Sequence, residues 1–275
     1  MPVIDAHHHF WHFNTQDFGW IDDAMRVIRR DYLPEDLASA IKTAGVDGVV
    51  SVQARQAMEE TEWLLELARN NSFVRGVVGW VPLIAPDVEE ILHEFSANPK
   101  LRAVRHVLQR EPDGYMLRDD FNHGIAALKK HSLAYDILIF ERHLPQAIEL
   151  VDRHPQQTFV LDHVAKPRIK ENFLEPWRKN IRELARRPNV YCKISGMVTE
   201  ADYTQWTEAQ LLPYFETVLN AFGPKRLMLG SDWPVCLVAC EYARWVNIMR
   251  GWIKHLSPVE QARILGETAM EAYRL

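Results

Sequence analysis

The chain has 275 residues, of which 47% are hydrophobic and 25% charged, with a formal net charge of −5. Because an α/β barrel commonly uses about 250 residues, one such domain would account for the whole length. Lysines and arginines are scattered rather than clustered, which argues against a nucleic-acid partner. No run of about 18 apolar residues suggests a membrane span, and the start Met-Pro-Val-Ile-Asp does not resemble a secretory signal.

Cysteine usage gives an expectation about the compartment. Cys192, Cys236 and Cys240 are odd in number and show no Cys-x-x-Cys spacing. This pattern favours reduced thiols in a cytoplasmic protein over a disulfide framework or a structural zinc site.

Short apolar, β-branched runs alternate with longer amphipathic segments along the chain. The runs predict eight strands, at 3–10, 46–53, 74–83, 101–108, 133–140, 158–163, 190–194 and 226–231. The amphipathic segments predict helices at 34–43, 59–70, 88–96, 120–130, 144–153, 176–187, 211–222 and 259–273. Asp87 and Ser257 are suitable N-caps, and Gly45 and Gly223 follow helix ends.

Strands that alternate with helices predict βα units and a parallel sheet. An open, doubly wound sheet is the alternative, but it usually carries a glycine-rich phosphate turn after its first strand. Here the first strand ends in three consecutive histidines. No repeat or linker divides the chain, so we predict a single (β/α)8 TIM-like barrel over residues 1–275.

Polar residues accumulate where the predicted strands end. In a barrel of this kind, active-site residues project from the carboxyl ends of the strands. Burial of unpaired charge is costly, so a purely structural barrel has no reason to collect ionisable groups on one rim. The following residues are therefore expected around one pocket: His7, His9, Arg105, His106, His163, Lys166 and Asp232.

His7 and His9 are two positions apart on a predicted strand, so their side chains point to the same face. Two converging imidazoles suit a divalent metal, usually zinc. The structural alternative is that a histidine-rich strand end packs under Phe10 and Trp11. His8 points to the opposite face and is interpreted as structural.

Asp232 ends strand eight between Gly230 and Pro234, where a carboxylate can bind a metal and take a proton from attacking water. His163 follows strand six and can act as a further metal ligand, as a donor to a substrate carbonyl or as a proton carrier. A structural ion pair for Asp232 and a core position for His163 are the alternatives. We predict His7, His9, His163 and Asp232 as metal ligands.

Three further rim residues, together with an aromatic neighbour of Asp232, are predicted to contact substrate. Arg105 offers a fixed fork of donors for a carbonyl or hydroxyl group and is predicted, with Asp232 and His163, to be catalytic. His106 and Lys166 are predicted to bind substrate, as is Trp233, whose ring would stack on a sugar.

The two rim lysines have a second interpretation. Lys166 and Lys193 could equally form ion pairs with Asp162 or Asp136 rather than bind substrate. A serine nucleophile is disfavoured, since the chain has no Gly-x-Ser-x-Gly elbow.

Several motifs resemble a known family. Ile-Asp-Ala-His-His-His-Phe-Trp at 4–11 and Gly-Ser-Asp-Trp-Pro-Val at 230–235 resemble the amidohydrolase-2 branch of the amidohydrolase superfamily. Within it, the stretches 29–37, 104–109, 161–167 and 192–201 resemble the sugar-lactone hydrolases, the group of L-fuconolactonases and L-rhamnonolactonases.

The resemblance implies a distorted (β/α)8 barrel that hydrolyses an aldonolactone, such as L-fuconolactone, in sugar catabolism. The family's strand-one histidines fall on His7 and His9, its strand-six histidine on His163 and its strand-eight aspartate on Asp232. Members with two metals carry a bridging lysine or carboxylate after strand four, where this chain has Arg105 and His106. We therefore expect at most one divalent ion, zinc, in a branch where some members act without a metal.

Two other functions stay open at this point. Relatives of the same fold decarboxylate aromatic or unsaturated acids, but the polar rim of Arg105, His106, Gln109 and Lys166 does not suit a flat apolar pocket. A catalytically inactive sugar-binding barrel is the other, and the intact histidine and aspartate set argues against it. A small-molecule sugar lactone is the expected partner, and a homo-oligomer is compatible with the sequence.

Overall fold

The computed structural model describes residues 1–275. Its eight strands form one parallel sheet in which the order of the strands follows the order of the chain. The strands are β1 Ile4–His8, β2 Gly48–Val52, β3 Val74–Gly79, β4 Leu101–Val107, β5 Ala134–Leu138, β6 Phe159–Leu161, β7 Val190–Ile194 and β8 Leu227–Leu229. The predicted single-domain (β/α)8 architecture is confirmed.

The first and last strands, β1 and β8, are joined by hydrogen bonds just beyond their carboxyl ends. The amide of His9 donates to the carbonyl of Trp233 at 2.6 Å, and the amide of Asp232 donates to the carbonyl of His7 at 2.8 Å. These bonds continue the ladder between β1 and the segment after β8 and bring the two edges of the barrel together.

The helices lie on the outside of the barrel. They are α1 Pro34–Ala44, α2 Met58–Asn70, α3 Val88–Ser96, α4 Asp119–Lys130, α5 Leu144–Arg153, α6 Trp177–Leu184, α7 Glu208–Phe222, α8 Tyr242–Ile253, α9 Pro258–Ala262 and α10 Thr268–Tyr273. A π-helical segment, Arg263–Glu267, joins α9 to α10. Short 3-10 segments occur at Asp23–Ile28, Leu108–Arg110, Tyr115–Leu117, Glu141–His143, Asp162–Ala165, Val198–Glu200, Pro224–Arg226 and Val235–Val238. None of these helices is both long and apolar enough to cross a membrane.

The structure corrects three details of the prediction. Helix α8 was not predicted, and it begins after Glu241, whose side chain makes no capping bond that would mark the start. The single helix expected at 259–273 is three consecutive helical segments. Asp87 stands at the N-cap of α3 without a side-chain bond to the helix, whereas Ser257 caps α9 as predicted, in a capping box with Glu260.

Most predicted strands extended too far, although β7 has the predicted bounds. The apolar runs continue past the ends of the strands into buried loop residues, as Val81 and Leu83 do after β3. Buried loop residues and strand residues are both apolar, so the sequence alone does not indicate where the hydrogen bonds between strands end.

Helix α10 has a special position in the core. Its residues Ala269, Ala272 and Tyr273 belong to the apolar cluster inside the barrel, together with residues such as Val50 and Val160 from the strands. Arg274 donates to the carbonyl of Ser132 just before β5, so this helix covers the amino-terminal end of the barrel. The opposite end carries the polar residues.

Two helical glycines give a matched test of this packing. A Cβ on Gly124 in α4 would lie 2.2 Å from the carbonyl oxygen of Leu83, whereas a Cβ on Gly251 in α8 would meet no atom within 4 Å. We expect Gly124→Ala to cost about 1–3 kcal/mol through overpacking and Gly251→Ala to stabilise by up to about 1 kcal/mol through helix propensity. Thermal unfolding midpoints should move in opposite directions, and equal shifts would contradict the packing of α4.

Candidate active site

The four predicted ligand residues converge on one carboxylate oxygen. Oδ1 of Asp232 lies 3.5 Å from Nε2 of His9, 3.8 Å from Nε2 of His7 and 3.9 Å from Nε2 of His163. The Nε2 atoms of His7 and His9 are 3.2 Å apart. All four residues are buried. The structure thus brings them together at the carboxyl ends of three strands.

Strand alternation explains how β1 serves the site. His7 and His9 turn into the barrel, while His8 turns outward, where its Nε2 lies 2.8 Å from Oγ of Ser51. The His8 ring also packs against Phe10 and Trp233. Strand β1 and the residue that follows it therefore supply two site residues and one structural residue, as the two-residue period of extended backbone requires.

The backbone that presents His163 is unusual. Residues 163–166 follow β6 with φ values of 52°, 48°, 62° and 47°, and Asp232 has a φ of 60°. Left-handed backbone costs a non-glycine residue about 1–2 kcal/mol, so the surrounding contacts must hold these residues in place. Nδ1 of His163 lies 2.9 Å from Oγ of Ser195, which fixes the orientation of the ring.

Electrostatics set the protonation of these groups. Burial lowers the pKa of His163 to about 4, although Asp232 and Asp162 oppose the shift. Burial and the nearby Lys193 hold the pKa of His7 well below its usual value. Burial alone would raise the pKa of Asp232, but His163, His9 and Lys166 outweigh it and the pKa is lowered. Near neutral pH the rings of His7 and His163 are therefore neutral and the carboxylate of Asp232 is ionised.

The donor set fits one divalent ion. Nδ1–H of His9 donates to the carbonyl of Val52 at 2.7 Å, which leaves the Nε2 lone pair facing Asp232. Tetrahedral zinc with bonds near 2 Å needs ligand atoms roughly 3.3 Å apart. His7, His9 and Asp232 offer ligand atoms that all lie within 4.8 Å of one another. His7 also forms such a group with Asp162 and His163. Asp162, predicted above only as an ion-pair partner, is therefore a further candidate ligand.

Arg105 is anchored before any substrate arrives. Its Nη1 donates to Oδ2 of Asp162 at 2.9 Å, and its Nη2 donates to the carbonyl of Gln53. The guanidinium nevertheless forms part of the cavity wall, as do His163, Asp232 and Lys166. Nζ of Lys166 forms an ion pair with Oε1 of Glu200 at 3.1 Å.

Two predicted substrate residues do not reach the cavity. His106 is turned to the outside of β4, because its neighbour Arg105 faces inward. Its ring nitrogens are bound by Nε1 of Trp80 at 3.2 Å and by Oε1 of Glu111 at 2.8 Å. The Trp233 ring is buried, with its centroid 5.0 Å from that of Tyr32, and is a packing residue. The structure thus places neither His106 nor Trp233 in the wall of the cavity.

The cavity has a volume of about 460 Å³ and opens at the carboxyl ends of the strands. Its wall includes residues from the loops after β1 and β2 that the sequence did not single out, namely Gln16, Asp17, Trp20 and Gln56. Arg55 donates to Asp17 at 2.8 Å and to Glu60 at 2.7 Å, and so ties these two loops together. Of these loop residues, only Arg55 could have been identified from the sequence, because it lies directly after a predicted strand.

The comparisons with known proteins agree with this geometry. The amidohydrolase family model matches residues 4–275. The chain belongs to the amidohydrolase family. This amidohydrolase is 41% identical to L-fucono-1,5-lactonase from Burkholderia multivorans, over 99% of this chain and 96% of that protein. It is 37% identical to L-fucono-1,5-lactonase from Burkholderia ambifaria, over 99% of this chain and 95% of that protein.

A solved structure is also similar. The crystal structure of an amidohydrolase from Burkholderia multivorans with bound zinc superposes with a TM-score of 0.97 at 40% identity, and the match covers both chains fully. The predicted family membership is therefore confirmed, while the roles of individual residues in this amidohydrolase stay predictions.

The position of His163 can be tested through its neighbour Gly196. A Cβ on Gly196 would lie 2.6 Å from Nδ1 of His163, so Gly196→Ala must displace the ring. Because misplacement of a catalytic group by about 1 Å can cost roughly 100-fold, we expect kcat/KM to fall by about that factor. The matched control is Gly45→Ala, with a φ of +61° against +63° at Gly196 but no close contact. Equal activity losses in the two variants would contradict this arrangement.

Proposed function

We propose that this amidohydrolase opens a sugar lactone, an aldonolactone such as L-fuconolactone, to the aldonic acid. The observation that carries the proposal is an ionised, buried Asp232 in the wall of a polar cavity, in a chain 41% identical to an L-fucono-1,5-lactonase over nearly its whole length. A lactone is an activated ester, so one positioned water and stabilisation of the developing charge can suffice.

In the proposed mechanism Asp232 is the general base. It takes a proton from a water molecule as the water oxygen attacks the ring carbonyl, and a new carbon–oxygen bond forms. Without a metal, Arg105 and His163, which line the same cavity, would donate to the negative charge that develops on the carbonyl oxygen. The bond between the carbonyl carbon and the ring oxygen then breaks, and Asp232 returns its proton to that oxygen.

The cavity wall suits the hydroxyl groups of a sugar. The side-chain amides of Gln16, Gln56 and Gln109 each offer donors and an acceptor, and Lys166 adds donors at one side. Trp20 supplies the aromatic face that we had expected from Trp233. This mixture of polar groups and one ring favours a polyhydroxylated substrate over a flat aromatic acid.

A single zinc ion is part of the proposal, with His7, His9, His163 and Asp232 as its ligands. When bound, zinc would supply Lewis acidity to the lactone carbonyl and lower the pKa of a nearby water. Two tightly bound equivalents of metal per chain would contradict a single site. We also keep the cytoplasm as the proposed compartment, since all three cysteines are free thiols.

The choice of substrate class is tested with two panels. Sugar lactones, followed by acid release with a pH indicator, should be hydrolysed with a clear preference among stereoisomers. Aromatic and unsaturated acids, followed by UV absorbance, should not be decarboxylated. Turnover confined to the second panel would replace the lactonase by a decarboxylase. Binding of lactones without turnover would identify a catalytically inactive sugar-binding barrel.

The role of Asp232 is tested by Asp232→Asn, which keeps the shape of the side chain but not its basicity. Since general bases contribute about 10²–10⁴-fold, kcat should fall by at least about 100-fold while the variant stays folded. Asp120→Asn is the control, because Asp120 forms an exposed ion pair with Arg118. A stable Asp232 variant that keeps more than about a tenth of wild-type kcat would exclude the base role.

A further inference from the structure

Two charged networks flank the candidate site. One is inside the barrel, where Nζ of Lys193 lies 2.5 Å from Oδ2 of Asp136 and 3.0 Å from Oδ1 of Asp162. The hydroxyl of Tyr273 in α10 donates to Asp136 at 2.8 Å. These groups are buried, so the ion pairs considered for Lys193 are present and belong to the core. The other network crosses the rim of the cavity.

The centre of the rim network is Arg55, which follows β2 and lines the cavity. Nε of Arg55 donates to Oε2 of Glu60 at 2.7 Å, and Nη1 donates to Oδ2 of Asp17 at 2.8 Å. The three residues thus connect the first turn of α2 to the loop after β1. The proposed mechanism does not use this network.

Glu60 fixes the inner end of the rim network. Only 3% of its side chain is exposed. It lies in the first turn of α2, where the helix dipole favours a negative charge. Oε1 of Glu60 accepts from the main-chain amides of Ala54 and Arg55, the latter at 3.0 Å. Hydrogen bonds to an ionised acceptor are strong, so Arg55 is attached to a rigid base.

The outer end of the rim network is the segment 14–20 of the loop after β1. Phe18 is the only buried residue of this segment. The side chain of Asp17 accepts from Nδ2 of Asn14 at 2.8 Å within the segment and from Arg55 outside it. Arg55 therefore supplies the side-chain link between Asp17 and the rest of the barrel.

The segment contributes two side chains to the cavity wall, Gln16 and Trp20. Gln16 is exposed and directly precedes Asp17, so its position follows that of Asp17. Trp20 is half-buried and meets the ring of Trp11 edge-on, at 6.1 Å between centroids. A wall that is ordered before substrate arrives avoids the entropy cost of ordering it during binding.

The contact between Arg55 and Asp17 matters little for global stability. About a third of each side chain is exposed, 33% for Arg55 and 35% for Asp17. Ion pairs as exposed as this one contribute little to the free energy of unfolding, because water screens them and two side chains must be ordered. The consequence of the contact is therefore local order in the loop after β1.

We propose that Arg55 is a positioning residue for substrate recognition. Through Asp17 it holds the loop after β1 in place, so that Gln16 and Trp20 meet the hydroxyl groups and the ring of the sugar without prior rearrangement. The inference rests on the proposed function, because it names the segment that recognises the lactone. The hydrogen bonds of Arg55 do not reach the residues proposed for catalysis, so its effect is on binding.

Direct contact with substrate is the competing role, since Arg55 itself lines the cavity. In that role Arg55 and Asp17 would act on the substrate independently. In the proposed role the two side chains act through one shared contact, and the loss of either releases the same segment. This difference decides the choice of variants.

Steady-state kinetics with L-fuconolactone provide the first test. Each side chain that a ligand must order weakens binding by about 2- to 10-fold, so the release of Gln16 and Trp20 in Arg55→Gln should raise KM roughly 4- to 100-fold. The loss should appear in KM rather than in kcat. A merely structural role would reduce the fraction of folded enzyme, which lowers the apparent kcat and leaves KM as it is.

Arg187→Gln is the matched control. Arg187 also joins two carboxylates, those of Asp152 and Glu183, but it does not line the cavity. This variant should keep the wild-type KM. An equal rise of KM in the two arginine variants would overturn the proposal.

Asp17→Ala and the double variant separate positioning from direct contact. Asp17→Ala leaves Arg55 bound to Glu60, so it tests the proposal even if Arg55→Gln does not fold. We expect Asp17→Ala to raise KM as Arg55→Gln does, and the double variant to raise it no further, because both changes break one contact. An unchanged KM in Asp17→Ala, or a double variant whose KM rises by the product of the two single effects, would overturn the proposal.

Fluorine NMR reports the position of the segment without turnover. The nine tryptophans are labelled with fluorotryptophan, and the Trp20 signal is assigned by its loss in Trp20→Phe. Without substrate, Arg55→Gln should shift or broaden this signal, whereas Arg187→Gln should not. An unchanged Trp20 signal in folded Arg55→Gln would overturn the proposal. A wild type that turns over no lactone would remove the proposed function, whereas an unchanged KM in active variants would remove only this inference.

Discussion

The junction of β1 with the segment after β8 is the constraint on which the site depends. The main-chain bond from Asp232 to His7, at 2.8 Å, sets the distance between the carboxylate and the two β1 histidines. Asp5 reinforces this junction, because it accepts from the amide of Ser231 at 2.8 Å, its hydroxyl at 2.6 Å and the amide of His7 at 3.1 Å. Burial raises the pKa of Asp5 to about 6, although these donors oppose the shift. Closure of the barrel and assembly of the site are thus the same event.

Two of the candidate site residues, His163 and Asp232, are held in conformations that the isolated chain would avoid. Asp232 and the run 163–166 have left-handed backbone, and Val164 within that run is β-branched, which makes the conformation more costly. Gly196 leaves the space that His163 fills. The stability of the surrounding barrel offsets this local cost, and the result is a site whose geometry is set before a ligand arrives.

Much of this arrangement follows from periodicity. The two-residue repeat of a strand placed His7 and His9 on one face, and the alternation of strands with helices predicted the barrel. The same repeat indicates that His106 faces away from the interior once Arg105 is assigned to it. Other features could not be predicted from the sequence. The packing of Trp233 against Tyr32 and the contact of Tyr273 with Asp136 join residues that are far apart in the chain, and no local pattern marks them.

The position of Tyr273 also bears on the order in which the protein folds. Its hydroxyl contacts Asp136 across 137 residues of sequence, and it lies in a helix that is synthesised after all eight strands. Contacts of such long range form slowly, because the chain entropy of closing the loop must be overcome first. A nascent barrel without α10 would hold Lys193, Asp136 and Asp162 in an interior open to water. The burial of the charges beneath the site therefore depends on the helix that is synthesised last.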